Sequence, residues 1–425
     1  MTSPGRINDM AYTSLLPSSS FVQPIPIRRI IPPGKPPMDG IILPPLLTIR
    51  QDSGLTSTTT KACVYQPFTF YSFGSVPVDV TEYERMISEK KKGVRERMLV
   101  DYTAVLQEWA NGVNHGLKDS CENVEKYDSI CATQKRVMWN SVNRIVRNNL
   151  ESDAADLNRE RLTLFLAHPI GYPKETWELT IRSLLVQLEG SNSNDNDSTP
   201  IVEEIWVFEA VQHGDTGLIN VGLLPCAYDW LDNLSETHLE DHQFDPKIHP
   251  VQVHPTGAAR SAPSGRTESQ ETELVEIKVR LSMPHLTKTK LGHEREEAYK
   301  ALSKSPFFKA WDPDVLAAYV QYGIVEEAGV AKLKMSGLHE AIVFLHASAI
   351  GELWQLLPQL DSHISLFFVV SSLDRIAFGN LDAVRETVWR RPDNVSNAVL
   401  PVGHLIQFQA PVELVSFDRI TATGL

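Results

Sequence analysis

Residues 162–178 read LTLFLAHPIGYPKETWE, and this stretch decides the fold. A short apolar run, 162–167, ends at His168, and a helical pattern over 177–188 follows and is closed by Gly190. An apolar run of this length bounded by turn residues predicts a buried strand, and the periodic stretch after it predicts a helix. The sequence therefore predicts a strand, a loop and a helix in direct succession.

The same alternation continues through the carboxyl half of the chain. A polar loop over 191–199 separates the first helix from a second predicted strand. Strands are predicted at 201–211, 273–281, 364–370 and 398–402, and helices at 295–303, 313–322 and 381–389. Strands that alternate with helices predict an α/β fold with a mostly parallel sheet.

The amino-terminal part has a different composition. Residues 1–60 hold ten of the 27 prolines, and such a segment is predicted to be disordered because it buries too little apolar surface to offset its ordering entropy. Residues 61–155 place Val105 and Trp109 four apart and Met138, Val142 and Ile145 along one stripe, which predicts a helical appendage. The α/β domain is then expected over 156–425. The partner of the amino-terminal extension is left open.

Composition excludes several classes of function. A net charge of −13 in 425 residues argues against broad binding to nucleic acid or to anionic membranes, and no apolar run approaches the roughly 20 residues that span a bilayer. The four cysteines have neither zinc-site spacing nor the density of a disulfide scaffold, so free thiols in a reducing compartment are expected.

Several stretches together carry a family resemblance. Residues 168–178 resemble the first loop and helix of a fungal α/β-hydrolase group that includes toxin-biosynthesis hydrolases, peroxisomal lipase-like proteins and acyl-CoA hydrolases of secondary metabolism. Further stretches similar to this group are 206–215 with its His-Gly-Asp turn, 228–230, 305–312, 389–392 and 403–405. The resemblance covers about 162–415 and implies an α/β-hydrolase fold with a helical cap at about 284–335. It also implies hydrolysis of a small-molecule ester or acyl thioester without a cofactor, in fungal secondary-metabolite biosynthesis.

The resemblance also assigns candidate site residues. It makes His404 the catalytic imidazole and Asp374 the carboxylate that orients it, with Asp361 and Asp382 as rivals. His168 and Gly171 belong to the oxyanion loop, in which the Ile170 N–H is one donor because Pro169 has none. The Thr256 N–H is the second candidate donor.

The nucleophile of this family is missing. Residues 254–257 read HPTG where Gly-x-Ser-x-Gly is expected, so Pro255 takes the place of the serine. Proline locks φ near about −65°, whereas the nucleophile elbow requires a strained backbone. The Thr256 hydroxyl is shifted by one position. Three alternatives stay open: His404 activates water, the chain is an inactive binding protein, or 258–270 departs from the natural transcript.

Two further groups of residues carry alternatives. The histidines and aspartates between His238 and His254 favour a solvated loop over a metallohydrolase site, because the His-Glu-x-x-His order is absent. Trp311 and the cap aromatics around it either line an apolar acyl pocket or pack the cap. Arg390 and Arg391 are expected to be an exposed basic pair.

One clue concerns localisation. The chain ends in Thr423-Gly424-Leu425, which lacks the basic middle residue of a peroxisomal signal. The cytoplasm is therefore predicted, with the peroxisome as the alternative.

Overall fold

The computed structural model describes residues 55–71, 135–148, 161–191, 200–221, 292–345, 357–372, 381–391 and 393–416, with Arg159 and a few positions between 85 and 101. The strands are β1 (Thr59–Tyr71), β2 (Lys135–Arg147), β3 (Arg161–Ala167), β4 (Ile201–Phe208), β5 (Ile324–Glu327), β6 (Val330–Leu333), β7 (Leu366–Ser371) and β8 (Val395–Leu400). The helices are α1 (Glu178–Ser191), α2 (Gly214–Ile219), α3 (Arg295–Leu302), α4 (Pro306–Lys309), α5 (Pro313–Gly323), α6 (Gly337–Leu345), α7 (Leu381–Val388), α8 (Ile406–Gln409) and α9 (Pro411–Ser416). Short 3₁₀ helices cover Lys174–Trp177 and Leu357–Gln359.

The larger sheet has the strand order β1-β2-β4-β3. β2 is antiparallel to both of its neighbours, whereas β3 and β4 are parallel and are joined through α1. β7 and β8 form a second, parallel pair, and β5 and β6 form a hairpin. The prediction of an α/β fold is confirmed, but over the described residues the sheet is mixed rather than mostly parallel.

The prediction of a helical appendage over 61–155 is wrong for residues 61–71, which belong to β1, and for residues 135–147. Residues 135–147 form the strand β2, which pairs with β4, and β1 pairs with β2 along its full length. Residues 138–143 are all buried, so this part of β2 exposes neither face to solvent. A strand that is covered on both faces shows no period of two, and its apolar positions can match a helical stripe by chance.

One apolar core joins the two parallel strand pairs. Trp177 and Ile181 at the start of α1 pack with Ile205 of β4 and with Leu400 of β8. α9 packs against α1 as well. Because both strand pairs pack on one helix, the loops that follow β3, β4 and β8 are held in one body.

The predicted cap region, 284–335, contains α3, α4, α5 and the β5–β6 hairpin. Asp312 caps α5, since its carboxylate accepts from the Asp314 N–H at 2.8 Å, and Pro313 occupies the first turn. Tyr319 and Val320 of α5 pack on Leu405 and Phe408. The cap therefore rests on the segment that follows β8.

Several predictions lie outside the described residues. They are the disordered segment over 1–54, most of the helical stretch over 72–134, and the strand at 273–281. Within the described residues, Cys63 is a free thiol. No helix among them is long and apolar enough to cross a membrane.

Candidate functional site

Two loops follow the parallel strands of the larger sheet. The first loop, 168–172, follows β3, and the second loop, 209–213, follows β4 and ends where α2 begins. β3 and β4 are parallel neighbours, so both loops emerge at the same edge of the sheet. Ligand sites in α/β sheets lie at this carboxyl edge.

The two loops are joined by a reciprocal pair of hydrogen bonds. Ala210 N donates to His168 Nε2 at 2.8 Å, and Gly171 N donates to His213 Nε2 at 2.9 Å. The two imidazole rings lie against each other, with centroids 4.4 Å apart. Each loop therefore supplies one acceptor side chain and one donor amide to the other.

Both imidazoles are held neutral. Burial lowers the pKa of His168 to about 4, and the nearby Lys174 ammonium contributes to the lowering while the Pro169 carbonyl partly offsets it. Burial also lowers the pKa of His213 well below its usual value, and His168 and His339 add to this. His339, on α6, has its own pKa lowered to about 4 by burial.

The amide groups of the first loop are not equivalent. Gly171 N is engaged by His213, and Tyr172 N donates to Pro169 O at 3.3 Å. Ile170 N has no acceptor among the described residues. Among the three amides that follow Pro169, the predicted oxyanion donor, Ile170, is thus the one that remains available, whereas Gly171 contributes through its backbone conformation.

Gly171 is required at its position for two reasons. Its φ is +90°, a conformation that side chains with a Cβ rarely adopt, and a Cβ there would lie 2.6 Å from Glu340 Oε1. Glu340 belongs to α6 and is only 6% exposed. A buried carboxylate therefore lies directly against the first loop, and Tyr172 and Tyr319 lie close enough for it to raise their pKa values, which burial already raises.

A buried ion cluster supports both loops from below. Lys174 Nζ lies 3.1 Å from Glu175 Oε1 and 3.2 Å from Glu209 Oε2, and it donates to Ser141 Oγ at 2.9 Å. All three charged side chains are at most 1% exposed. Burial by itself lowers the pKa of Lys174, but the two carboxylates raise it above its usual value, so the ammonium stays charged.

Glu209 connects this cluster to both loops. Its Oε1 accepts from Lys174 N and its Oε2 accepts from Thr216 N, each at 3.2 Å. Burial raises the pKa of Glu209, and the Lys174 ammonium opposes this shift. The Glu175 carboxylate has a further partner within the cluster, because Asn143 Nδ2 donates to its Oε1 at 3.2 Å.

His404 lies in the loop after β8, where it was predicted. Gly403 N donates to Gln409 Oε1 at 2.7 Å, and a Cβ on Gly403 would lie 2.7 Å from Gln409 Nε2. The His404 side chain is half-buried, and its Nδ1 atom is fully buried. The residues around His404 thus fold back over its loop and fix its backbone.

Ring contacts bring the first loop next to the His404 loop. The Tyr172 ring centroid lies 4.8 Å from that of Phe408, four residues after His404. Trp311 of the cap contacts both rings, at 5.3 Å to Tyr172 and 4.4 Å to Phe408. The oxyanion candidate and the histidine candidate therefore flank one aromatic cluster.

Trp311 is packed within the cap rather than along an open pocket. It is 5% exposed, which supports the packing alternative for its ring. Its indole Nε1 is buried and has no acceptor among the described residues. Its ring stabilises the cap, while its N–H is a donor that a ligand can use.

Hydrogen bonds tie the loop after β7 to the loop that carries His404. Ser371 Oγ donates to Val402 O at 2.5 Å, and Ser372 N donates to Leu400 O at 2.8 Å. Asp374 follows two residues after Ser372 and lies outside the described residues. Its rival Asp382 lies in α7, but the side chain of Asp382 is also outside the described part of the chain. Asp361 is exposed and pairs with His363, and this makes it a poor partner for His404.

Other predicted site residues also lie outside the described part of the chain. They are Pro255 and Thr256, and the histidines and aspartates between His238 and His254. Among the described residues there is no cluster of three or more possible metal ligands.

The prediction of an exposed basic pair at Arg390 and Arg391 is wrong. They are 7% and 3% exposed. The Arg391 guanidinium donates to the carbonyl oxygens of Asp361, Ile364 and Asn394. It therefore holds the loop before β7 to the turn before β8, which is a structural role.

Sequence reasoning missed His213, Glu209, Lys174 and Glu340 as parts of the site. The His-Gly-Asp turn after a predicted strand was a usable signal for His213, because a polar residue at the carboxyl end of a parallel strand faces the ligand edge. Glu209 precedes that turn by four residues. Nothing in the sequence near Glu340 indicated its contact with Gly171.

No protein-family model matches the chain, and no curated protein matches it. Among solved structures, it is similar to the peroxisomal α/β-hydrolase Lpx1 of Saccharomyces cerevisiae, with 13% identity, 69% of this chain and 83% of that chain covered, and a TM-score of 0.48.

Two other solved structures are similar to the chain. The thioesterase domain from the curacin biosynthetic pathway has 10% identity, coverage of 66% and 95%, and a TM-score of 0.42. The juvenile hormone epoxide hydrolase of the silkworm Bombyx mori has 12% identity, coverage of 90% and 96%, and a TM-score of 0.33. All three proteins are hydrolases by name.

Proposed function

We propose that this chain has an α/β-hydrolase fold and hydrolyses a small-molecule ester or acyl thioester. The observation that carries the proposal is the meeting of the first loop and the His404 loop at the Tyr172–Phe408 contact. Acyl transfer to water requires an oxyanion donor and a base. The first loop offers an amide without an acceptor as the donor, and the His404 loop offers an imidazole as the base. The resemblance in sequence supports the same reading.

The proposed mechanism assigns each residue a role. His404 takes a proton from the attacking oxygen, and Asp374 orients the imidazole from the loop that Ser371 and Ser372 tie to the His404 loop. The carbonyl oxygen accepts from Ile170 N–H as it becomes negative, with the Thr256 N–H as the second donor. Because Pro255 occupies the place of a serine, water is the proposed nucleophile, and His404 returns its proton to the leaving alcohol or thiol.

The proposed surroundings of the reaction follow the resemblance. The exposed aromatic Phe307 of the cap contacts the acyl chain of the substrate, whereas the Trp311 ring packs within the cap. The pathway is fungal secondary-metabolite biosynthesis in the cytoplasm, with the peroxisome as the alternative compartment.

A turnover assay tests this function. The full chain is assayed against p-nitrophenyl esters of increasing acyl length and against acyl-CoA thioesters, beside His404→Ala and a control, His293→Ala, which changes an exposed histidine of the cap. We expect slow hydrolysis that His404→Ala abolishes and His293→Ala leaves intact. Hydrolysis that survives in His404→Ala contradicts the assignment of the base.

A second candidate function is an inactive binding protein, which the proline at position 255 favours. It predicts saturable binding of an acyl ligand without turnover. A fluorophosphonate probe tests a third possibility, which is an activated serine or threonine nucleophile. The probe labels such a nucleophile, whereas a protein that uses water and an inactive protein both stay unlabelled.

A further inference from the structure

The two hydrogen bonds between the first and second loops are reciprocal. His168 accepts from Ala210 N in the second loop, and His213 accepts from Gly171 N in the first loop. Each histidine thus binds an amide that lies three residues from the other histidine in the sequence. Neither loop can move away from the other without breaking both bonds.

The geometry fixes the protonation of both rings. An imidazole nitrogen that accepts from an N–H carries no proton itself, so Nε2 is the unprotonated nitrogen in both histidines and Nδ1 carries the hydrogen. The contact of His168 Nδ1 with Pro169 O at 2.9 Å agrees with this, because a carbonyl oxygen can only accept. Both rings are therefore neutral and in the Nδ1–H form.

The charged groups around the pair favour this state. Lys174 and Glu175 face His168, and their effects on its charge oppose each other. His168 and His339 face His213, and a positive charge on either disfavours a second one there. Burial then decides the balance in favour of the neutral rings.

The pair also determines which amide of the first loop is left over. Gly171 N is taken by His213 and Tyr172 N by Pro169 O, so Ile170 N is the one donor without an acceptor among the three amides that follow Pro169. We propose that His168 and His213 act together as positioning residues, which hold the first loop so that the Ile170 N–H is the amide offered to the substrate oxygen. This inference rests on the proposed function, since an oxyanion donor matters only in a hydrolase.

The protonation state is measured without any substrate. The full chain is labelled with ¹⁵N-histidine, and the ring nitrogens are correlated with the carbon-bound ring protons at pH 7, with signals assigned through His168→Gln and His213→Gln. We expect the Nδ1–H form at both positions, whereas free histidine prefers the Nε2–H form. An Nε2–H form at either position overturns the reciprocal pair.

The positioning role is measured by the kinetics of His213→Ala, His213→Gln and the control His363→Ala. Loss of a well-placed oxyanion donor lowers kcat by about 10²–10³. We expect His213→Ala to lower kcat about 10- to 100-fold, with KM changed less than about threefold. The amide oxygen of His213→Gln can accept from Gly171 N–H, so this variant is expected to recover most of the lost kcat. His363 is exposed, and His363→Ala is expected to match the unaltered chain.

The outcomes separate the two proposals. If the unaltered chain hydrolyses the esters and His213→Ala does so at the same kcat, the positioning role is wrong and the proposed function stands. If His213→Ala and His213→Gln lose kcat and thermal stability equally, His213 is structural, which also overturns the role. If the unaltered chain turns over no ester, the proposed function fails and the positioning role fails with it.

Discussion

At the scale of single residues, the site is organised by buried polar groups that have specific partners. Lys174 is nearly inaccessible, yet it is charged because Glu175 and Glu209 lie within 3.2 Å of its ammonium. Removing one member of such a cluster leaves the others buried and uncompensated, which costs far more than the net stability that the cluster contributes. The loops above therefore depend on each member being present.

Lys174→Met tests this dependence. We expect the free energy of unfolding to fall by about 3–5 kcal/mol, because two buried carboxylates lose their cation. The matched control is Lys300→Met, which breaks an exposed pair with Glu296 and is expected to leave stability unchanged. Urea unfolding followed by circular dichroism measures both. Equal stability of the two variants contradicts the account of the cluster.

Residue identity alone did not reveal these partners. The resemblance assigned His168 and His404 to the site, and the structure has both just after strands that the sequence predicted. Glu209, Glu340 and Lys174 look like ordinary charged residues in the sequence. Their burial depends on tertiary neighbours such as Ser141 and Thr216, which come from other elements.

At the scale of elements, strong local signals were predicted well. The strands at the positions of β3, β4, β7 and β8, and the helices at the positions of α3, α5 and α7, are confirmed with ends that differ by a few residues. β1 was missed because it begins inside the Ser/Thr run and contains Pro67. An edge strand tolerates proline, which has no N–H to donate, because one side of an edge strand can remain unpaired. The β5–β6 hairpin was missed because its strands are only four residues long.

The amino terminus of α5 gives a prediction at this scale. Asp312→Ala removes the carboxylate that accepts from Asp314 N and is expected to destabilise the protein by about 1 kcal/mol. Asp312→Asn keeps a capping oxygen and is expected to lose much less. The midpoints of thermal unfolding compare the three proteins. An equal loss in Asp312→Asn and Asp312→Ala would show that charge, and not capping, is what Asp312 contributes.

At the scale of the whole molecule, three histidines link stability to pH, of which His213 is buried and His168 and His339 are half-buried. Their pKa values are lowered in the folded state, to about 4 for His168 and His339, while an unfolded chain has values near about 6.5. The unfolded chain therefore binds protons first as the pH falls. Their contribution to stability is complete above about pH 6.5 and is lost as the pH falls towards 4.

Unfolding by urea at pH 7, 6 and 5 measures this link. We expect each of His168 and His339 to contribute a loss of about 2 kcal/mol between pH 7 and pH 5. His339→Asn should make the dependence on pH shallower, and the exposed control His363→Asn should leave it unchanged. A dependence that is identical in His339→Asn and in the unaltered chain contradicts the burial of a neutral His339.

The proposed activity requires that Ile170 and His404 face the same ligand, and one titration tests this directly. An alkylphosphonate monoester, which carries a tetrahedral anion and does not react, is added to the chain labelled with ¹⁵N at isoleucine and histidine. We predict that the Ile170 amide and the His404 ring signals shift together with a single Kd. A shift at only one of them, or two different values of Kd, would contradict a shared site.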